Sequence, residues 1–448
     1  MNSVLINLCL FSFAASPITD GAAVELRYSG TLTQILRSGD RTPVKRFNVY
    51  ALVTATDSGH TINFLVDEQG GGGWSWPERF GQVTLDSNNN AQNRAKVQLL
   101  HDHNNTKYPL ALRQLMFEFP DKLSLGEVWT AGRYEYSVDS TQKVRNVECF
   151  QIGVVNNFGR RQKLWVDPAT SVVMKSEQRV FMGRGDQFSL KMELDSTKQV
   201  AVAQLAKLKK PISSLITLQG KLNRKPNATR PELSKDQLAA VSAVIPDILD
   251  TSKSTPFQQF SQIISRDAQA QSRRTSDLSS LSKRFVGQNA PAFELPTIDR
   301  KRFSSKDLKG KTVVLHFWDY KDDPLTEPYG QIGYLDFLQN KRGRLGVKVV
   351  GVAVNARFEK PETVESGLRS ARKLRSFMNL GYPVVYDNGK FIQQFGDPRR
   401  LGGKLPLWVV ISPDGKIAHY KVGFYEVDTN RGLVELDDTV IGIFKDNK

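Results

Sequence analysis

Thr312 to Pro328 reads TVVLHFWDYKDDPLTEP, and the fold of the C-terminal third of the chain turns on it. Val313, Val314, Leu315, Phe317 and Trp318 form an apolar run, β-branched at first and aromatic at its end, the composition of a central strand buried on both faces. Asp322, Asp323 and the turn former Pro324 interrupt that run. Leu325, Ile332, Leu335 and Leu338 then recur at helical spacing, so the segment predicts a strand passing through a polar loop into a helix. At such a junction Asp322 and Asp323 fit an N-cap and a favourable charge on the helix dipole. They make a poor acid–base couple, because adjacent side chains point apart and the nearest imidazole, His316, lies on the strand as a core residue.

The flanks extend the pattern. A helix is expected over QIGYLDFLQNKR, a strand over VKVVGVAVN, a second helix around TVESGLRSARKLRSFMNL, and two strands in LPLWVVISPDGKIAHYKVGF joined at Pro-Asp-Gly. A terminal helix, VELDDTVIGIFK, follows. The β-α-β start argues for parallel strands and the closing hairpin for antiparallel ones, hence a mixed sheet.

Upstream, VGQNAPAFELPTIDRKRFSSKDLKGKTVVLHFWD carries Gly287, Ala290-Pro291, Phe293, Leu308, Gly310-Lys311 and Val313 to Trp318. Position by position these match G-x-x-A-P-x-F-x-L … L-x-G-K-x-V-x-x-x-F-W. The segment resembles the redoxin group of the thioredoxin-like superfamily, which includes peroxiredoxins and TlpA/ResA-like thiol-disulfide proteins. The resemblance implies a thioredoxin-like α/β/α sandwich over 286–448 and a cis peptide at Leu405–Pro406, facing the redox loop. It also implies a docking surface for an extended partner, formed by Trp318, Asp323, Pro324, Leu405 and Pro406. Active members read FWATWCxxC here, which puts Asp322 and Leu325 where the two sulfurs would be. Thiol exchange needs a thiolate and a resolving sulfur, and this segment contains no cysteine.

At 448 residues the chain is long enough for two or three domains. Its net charge of +16 suits an acidic partner, but Lys and Arg are spread without a motif for base readout, so no specific nucleic-acid binding is expected. Of its two cysteines, Cys9 lies in an apolar N-terminal stretch and Cys149 in a strand pattern, which leaves no CxxC, zinc set or disulfide framework in a processed chain. No cofactor or metal is expected. The stretch Val4 to Ala15, followed by small residues and Pro17, reads as the core of a signal peptide spanning 1–23, although Lys and Arg are missing from its start. Export to an extracytoplasmic compartment, periplasmic or secreted, follows. No later stretch is long and apolar enough for a transmembrane helix.

Residues 24–210 alternate in short segments such as FNVYALVTAT, HTINFLVDE and SVVMKSEQRVF, separated by Gly, Asn, Asp and Ser. This predicts an antiparallel curved sheet or half-barrel. The segment WVDPATSVVMKSE resembles a hairpin of periplasmic lipoprotein-carrier folds, which implies a lipid or acyl ligand in the sheet; a sheet that packs only on itself is the alternative. The run DEQGGGGWSWP is a loop, its Trp74 and Trp76 either exposed for a partner or folded back. His101 and His103 share a strand face, too few ligands for a metal by themselves.

Residues 211–285 turn basic and rich in Ser and Gln, with KLNRKPNATRPELSKDQ followed by weakly apolar helical patterns, and read as a linker. The basic cluster Lys207 to Lys225 is positioned to touch an anionic surface, and Asn227-Ala228-Thr229 is a glycosylation sequon. Two function classes follow. One is an exported thioredoxin-fold protein lacking redox cysteines, a binding or scaffold module whose partner is a protein or an envelope component. The other is a thiol oxidoreductase or antioxidant protein that keeps family activity by an unusual route, for example through Cys149.

Overall fold

The computed structural model describes residues 23–70, 75–93, 95–104, 106–159, 161–224, 232–322, 329–428 and 430–446. Residues 1–22, Trp74, the Asn227 sequon, Asp323, Pro324 and Leu325 lie outside the described residues. Contacts divide the chain into two compact units, Met1–Gln269 and Ala270–Lys448.

The first unit is built on period-two alternation. Its strands are β1 (Ala23–Ile35), β2 (Arg41–Thr56), β3 (Gly59–Gly70), β4 (Phe80–Asp86), β5 (Gln98–His103) and β6 (Thr106–Ala111). They continue as β7 (Val128–Ala131), β8 (Tyr134–Val144), β9 (Val147–Asn156), β10 (Arg161–Val166), β11 (Val173–Met182) and β12 (Asp186–Val200). Ten of them form one sheet in the order β4-β3-β2-β1-β12-β11-β10-β9-β8-β7. Every neighbouring pair is antiparallel, and most neighbours are consecutive in sequence. In β2 the side chains of Val49, Ala51 and Val53 join one core, while Tyr50 and Leu52 join another. Both faces of this strand are therefore buried, which is why FNVYALV is nearly continuous in apolar residues. The first core is completed by the β5–β6 hairpin and the segment after it, through Leu99, Leu110, Leu112, Leu115 and Met116.

The second core corrects the expectation of a linker over 211–285. That stretch forms most of α1 (Val202–Leu222), then α2 (Lys235–Thr251) and α3 (Gln258–Phe285). Leu205, Leu208, Ile212, Leu215, Leu218 and Leu222 make one buried stripe on α1 and pack with Leu238, Val241, Ile248, Phe260 and Ile264 against Tyr50, Leu52 and Phe80. Polar composition concealed this stripe, because a helix needs only about three apolar residues in seven to bury one face. Trp76, expected in an exposed or folded-back loop, is buried in the same core, and its indole N–H donates to Asp267 at 2.8 Å. Helix α3 runs through the boundary at Gln269/Ala270, and its last turns belong to the second unit.

The second unit begins with the short ladder β13 (Glu294–Pro296) and β14 (Arg302–Ser304), then β15 (Thr312–Trp318). It continues through α4 (Ile332–Arg342), β16 (Val347–Val354), α5 (Pro361–Phe377), β17 (Val384–Asp387), α6 (Phe391–Gln394), β18 (Leu407–Ile411), β19 (Ile417–Val422) and α7 (Val434–Asp446). The five-stranded sheet has the order β17-β16-β15-β18-β19, with β15 parallel to β16 and antiparallel to β18. It is thus mixed, with β15 at its centre. Helices α4, α5 and α7 cover one face through Ile332, Leu335, Leu338, Leu368, Leu374, Leu436 and Val440. Residues Leu281 of α3 and Phe391, Ile392 and Phe395 cover the other. Phe285 stacks on Tyr420 at 5.5 Å, so the second unit starts upstream of the expected boundary at 286.

Candidate functional site

The end of β15 positions the residues singled out from the sequence. In the register of the central pair, Phe317 faces Leu407 and His316 faces Trp408, so Pro406 lies at the same end of the sheet as Trp318. The Leu405–Pro406 peptide is cis. Pro406 is buried, Leu405 is half-buried, and the Pro406 carbonyl accepts the Gly423 N–H at 2.8 Å. Trp318 is half-buried, edge-on to Phe424 at 5.7 Å. Gly330 sits against its indole: a Cβ there would stand 2.3 Å from the indole nitrogen, and the φ of 61° suits a glycine.

Helix α4 begins at Ile332, later than the helical spacing from Leu325 implied. Gly330 and then Gln331, with φ of 61° and 64°, hold left-handed backbone immediately before it, and a helix cannot extend through such residues. The N-cap of α4 is Gln331, not Asp322, which corrects that expectation for this helix. The Asp322 backbone N–H donates to Ser370 Oγ at 3.0 Å, its carboxylate accepts from the same hydroxyl, and Lys373 Nζ stands 3.6 Å from its second oxygen. The Ser370 hydrogen bond holds the Asp322 carboxyl below the usual carboxylate range. Both partners lie on α5, far off in sequence. The only signal was a serine on the buried face Gly367, Leu368, Ser370, Ala371, Leu374 of an otherwise apolar helix stripe.

One residue earlier than the aromatic end of the strand, His316 is fully buried. Its Nδ1 lies 2.8 Å from the Tyr320 hydroxyl, which is 3.3 Å from Tyr382 Oη, and Tyr382 donates to the Ile332 carbonyl at 3.2 Å. Trp408 covers the imidazole at 4.2 Å. Burial pushes its pKa down to about 3, so His316 is neutral at any ordinary pH and no proton store for chemistry at the loop. Asp319, at the end of the strand, accepts from Asn355 Nδ2 and pairs with Lys321 at 3.1 Å. These polar groups are tied to one another.

The sulfur and imidazole groups of the first unit are placed as follows. Cys149 is buried in the core of the sheet, its thiol directed at the Val147 carbonyl at 3.5 Å. Desolvation, reinforced by the Asp167 carboxylate, pushes its pKa up to about 12. His103 Nε2 is 2.7 Å from Asp186, and the His101 and His103 rings stack at 6.4 Å against Phe188. Among the described residues no group of three or more His, Cys, Asp or Glu could hold a metal ion. No described helix is long and apolar enough to cross a membrane.

A central parallel pair, a closing antiparallel hairpin and a cis-proline at the carboxyl end of the central strand define a thioredoxin-like unit. Residues 286–420 match the model of the AhpC/TSA family. The chain is 30% identical over 139 residues to the thiol-disulfide oxidoreductase ResA of Bacillus subtilis, covering 31% of this chain and 67% of that protein. It is 29% identical over 123 residues to a putative peroxiredoxin of Coxiella burnetii, covering 27% of this chain and 73% of that protein. The crystal structure of a thiol:disulfide interchange protein from Chlorobium tepidum covers 35% of this chain and 96% of its own, at 24% identity and a TM-score of 0.28. Through its second unit the chain belongs to the AhpC/TSA redoxin family, among relatives named as thiol-disulfide oxidoreductases.

Proposed function

We propose that this is an extracytoplasmic thioredoxin-fold protein without redox turnover, a binding or scaffold module of the cell envelope. The observation that carries the reading is Asp322. By the resemblance to the redoxin pattern it takes the place of the first sulfur of a CxxC, with Leu325 in the place of the second, and its carboxylate is engaged by Ser370 and Lys373 of α5. A carboxylate in that position cannot form a mixed disulfide. The second unit has no cysteine at all, and the buried thiol of Cys149 is a poor nucleophile at neutral pH. The half-buried Trp318 and Leu405 beside Pro406, with Asp323 and Pro324 next in sequence after Asp322, are the positions proposed to meet an extended partner, recognition kept without exchange. Export is supported by the apolar stretch Val4 to Ala15 and by the redoxin subgroup to which ResA belongs. We also propose 24–200 as a sheet domain with α1, α2 and the first half of α3 as its cover.

The lipid ligand implied for the N-terminal sheet has less behind it. One apolar face of that sheet is filled by the β5–β6 hairpin, and a cleft of about 490 Å³ on the sheet is lined by Arg46, Lys175, Glu177 and Lys191. A protein or polar envelope component fits better. Dithiothreitol-dependent reduction of insulin tests the main reading: the chain should leave the uncatalysed rate unchanged, and acceleration would support the alternative of an oxidoreductase.

A further inference from the structure

Helix α1 is cationic on its outer side. From Val202 to Leu222 it contains no Asp or Glu and no aromatic residue. Its buried stripe takes Leu205, Leu208, Ile212, Leu215, Leu218 and Leu222, which leaves Lys207, Lys209, Lys210 and Lys221 exposed on the opposite arc. Between them stand only small exposed residues, Ala203, Ala206, Ser213, Thr217 and Gly220. Among the described residues Lys207, Lys209 and Lys221 form no ion pair, and Lys210 has only the field of Asp250. Two acids of α2 lie at its flank: Asp250 pairs with Lys253 at 2.8 Å, and Asp247 accepts from Ser214 of α1 at 3.2 Å.

We propose that this arc of α1 docks the protein onto a membrane surface carrying anionic phospholipid headgroups. The 21 residues make a face about 30 Å long, and the short side chains between the lysines let it approach a flat charged layer evenly. A nucleic acid is a worse match, because nothing on the arc offers a ring for a base to stack on. No large apolar group is presented for insertion, apart from the exposed Val202 at the helix start. The contact is therefore electrostatic and reversible, and it weakens as salt shortens the screening length. It rests on the envelope reading above, but its test is independent of redox turnover.

The experiment is co-sedimentation of the full chain with vesicles of phosphatidylcholine and phosphatidylglycerol, against vesicles of phosphatidylcholine alone. Binding is expected only to the anionic vesicles, with loss as salt rises. The variant Lys207→Glu/Lys209→Glu/Lys210→Glu should bind at least a hundredfold more weakly, at about fivefold or more per lysine. A control of equal charge change in the second unit, Lys301→Glu/Lys306→Glu/Lys309→Glu, should bind as the parent does. Replacement of the α1 lysines by Gln gives a milder variant if the reversed one does not fold. Equal loss in both charge-reversed variants, binding that ignores the α1 changes, or retention of nucleic acid but not vesicles would each overturn the proposal.

Discussion

Ser370 Oγ receives the Asp322 N–H at 3.0 Å and donates back to the Asp322 carboxylate, so one hydroxyl on α5 engages both the backbone N–H and the side chain of this residue in the loop after β15. Replacement Ser370→Ala leaves the backbone N–H without this acceptor and should destabilise the second unit by about 1 kcal/mol in urea unfolding. The Asp322 pKa should rise toward the free value, because its largest lowering influence is this hydrogen bond. A depressed carboxyl pKa stabilises the fold above the unfolded value and loses that contribution as pH falls. The parent should therefore lose more stability than the variant on acidification below about pH 4, the free range for Asp.

His316 gives a second pH signature. Its folded pKa, pushed down to about 3, lies below the ordinary value of 6.5, so the unfolded chain binds the extra proton between these limits. Stability from this group is complete above pH 6.5 and declines as pH falls toward 3. His316→Leu should flatten the slope of unfolding free energy against pH in that window, after allowance for the lost contact with Tyr320. An unchanged slope would mean that the imidazole is not held neutral.

Cys149 should behave as a core thiol. In the native chain it should react with Ellman's reagent at least tenfold more slowly than after addition of guanidinium, given burial and a pKa pushed up to about 12. Fast labelling of native protein would contradict the buried placement.

The boundary of the second unit can be tested with fragments. One starting at Ala270 keeps Leu281 and Phe285, which pack against Gly396 and Tyr420. Another starting at Val286 loses the contacts of both side chains. We expect the shorter fragment to be less stable by roughly 3 kcal/mol or more, the order of a large side chain lost from a core. Equal stability would return the boundary to 286.

These cases show what the residues alone could tell. Strand β15 was legible because Val313 to Trp318 is apolar on both faces but for His316, whereas the cis bond at Leu405–Pro406 came only from the resemblance to the redoxin pattern. Helix α1 was not: its stripe is diluted by Lys, Ser and Gln, and the partner surface of Tyr50 and Phe80 lies far off in sequence. The start of α4 was misplaced because Leu325 falls seven residues before Ile332, which mimics a helical repeat, while the left-handed turn at Gly330-Gln331 leaves only a single glycine as its mark. The partners of Asp322 left no mark beyond a serine in the apolar stripe of α5, since Ser370 is joined to it only by the packing of α5 on the sheet.

The central claim is that recognition outlived electron transfer, and catalytic turnover tests it most directly. Insulin reduction by dithiothreitol and peroxide consumption should be measured for the full chain, for Cys149→Ser and for Asp322→Cys/Leu325→Cys. The account predicts uncatalysed rates for the first two and the appearance of a reducible disulfide in the third. Turnover by the parent chain that disappears in Cys149→Ser would contradict it and establish the oxidoreductase in its place.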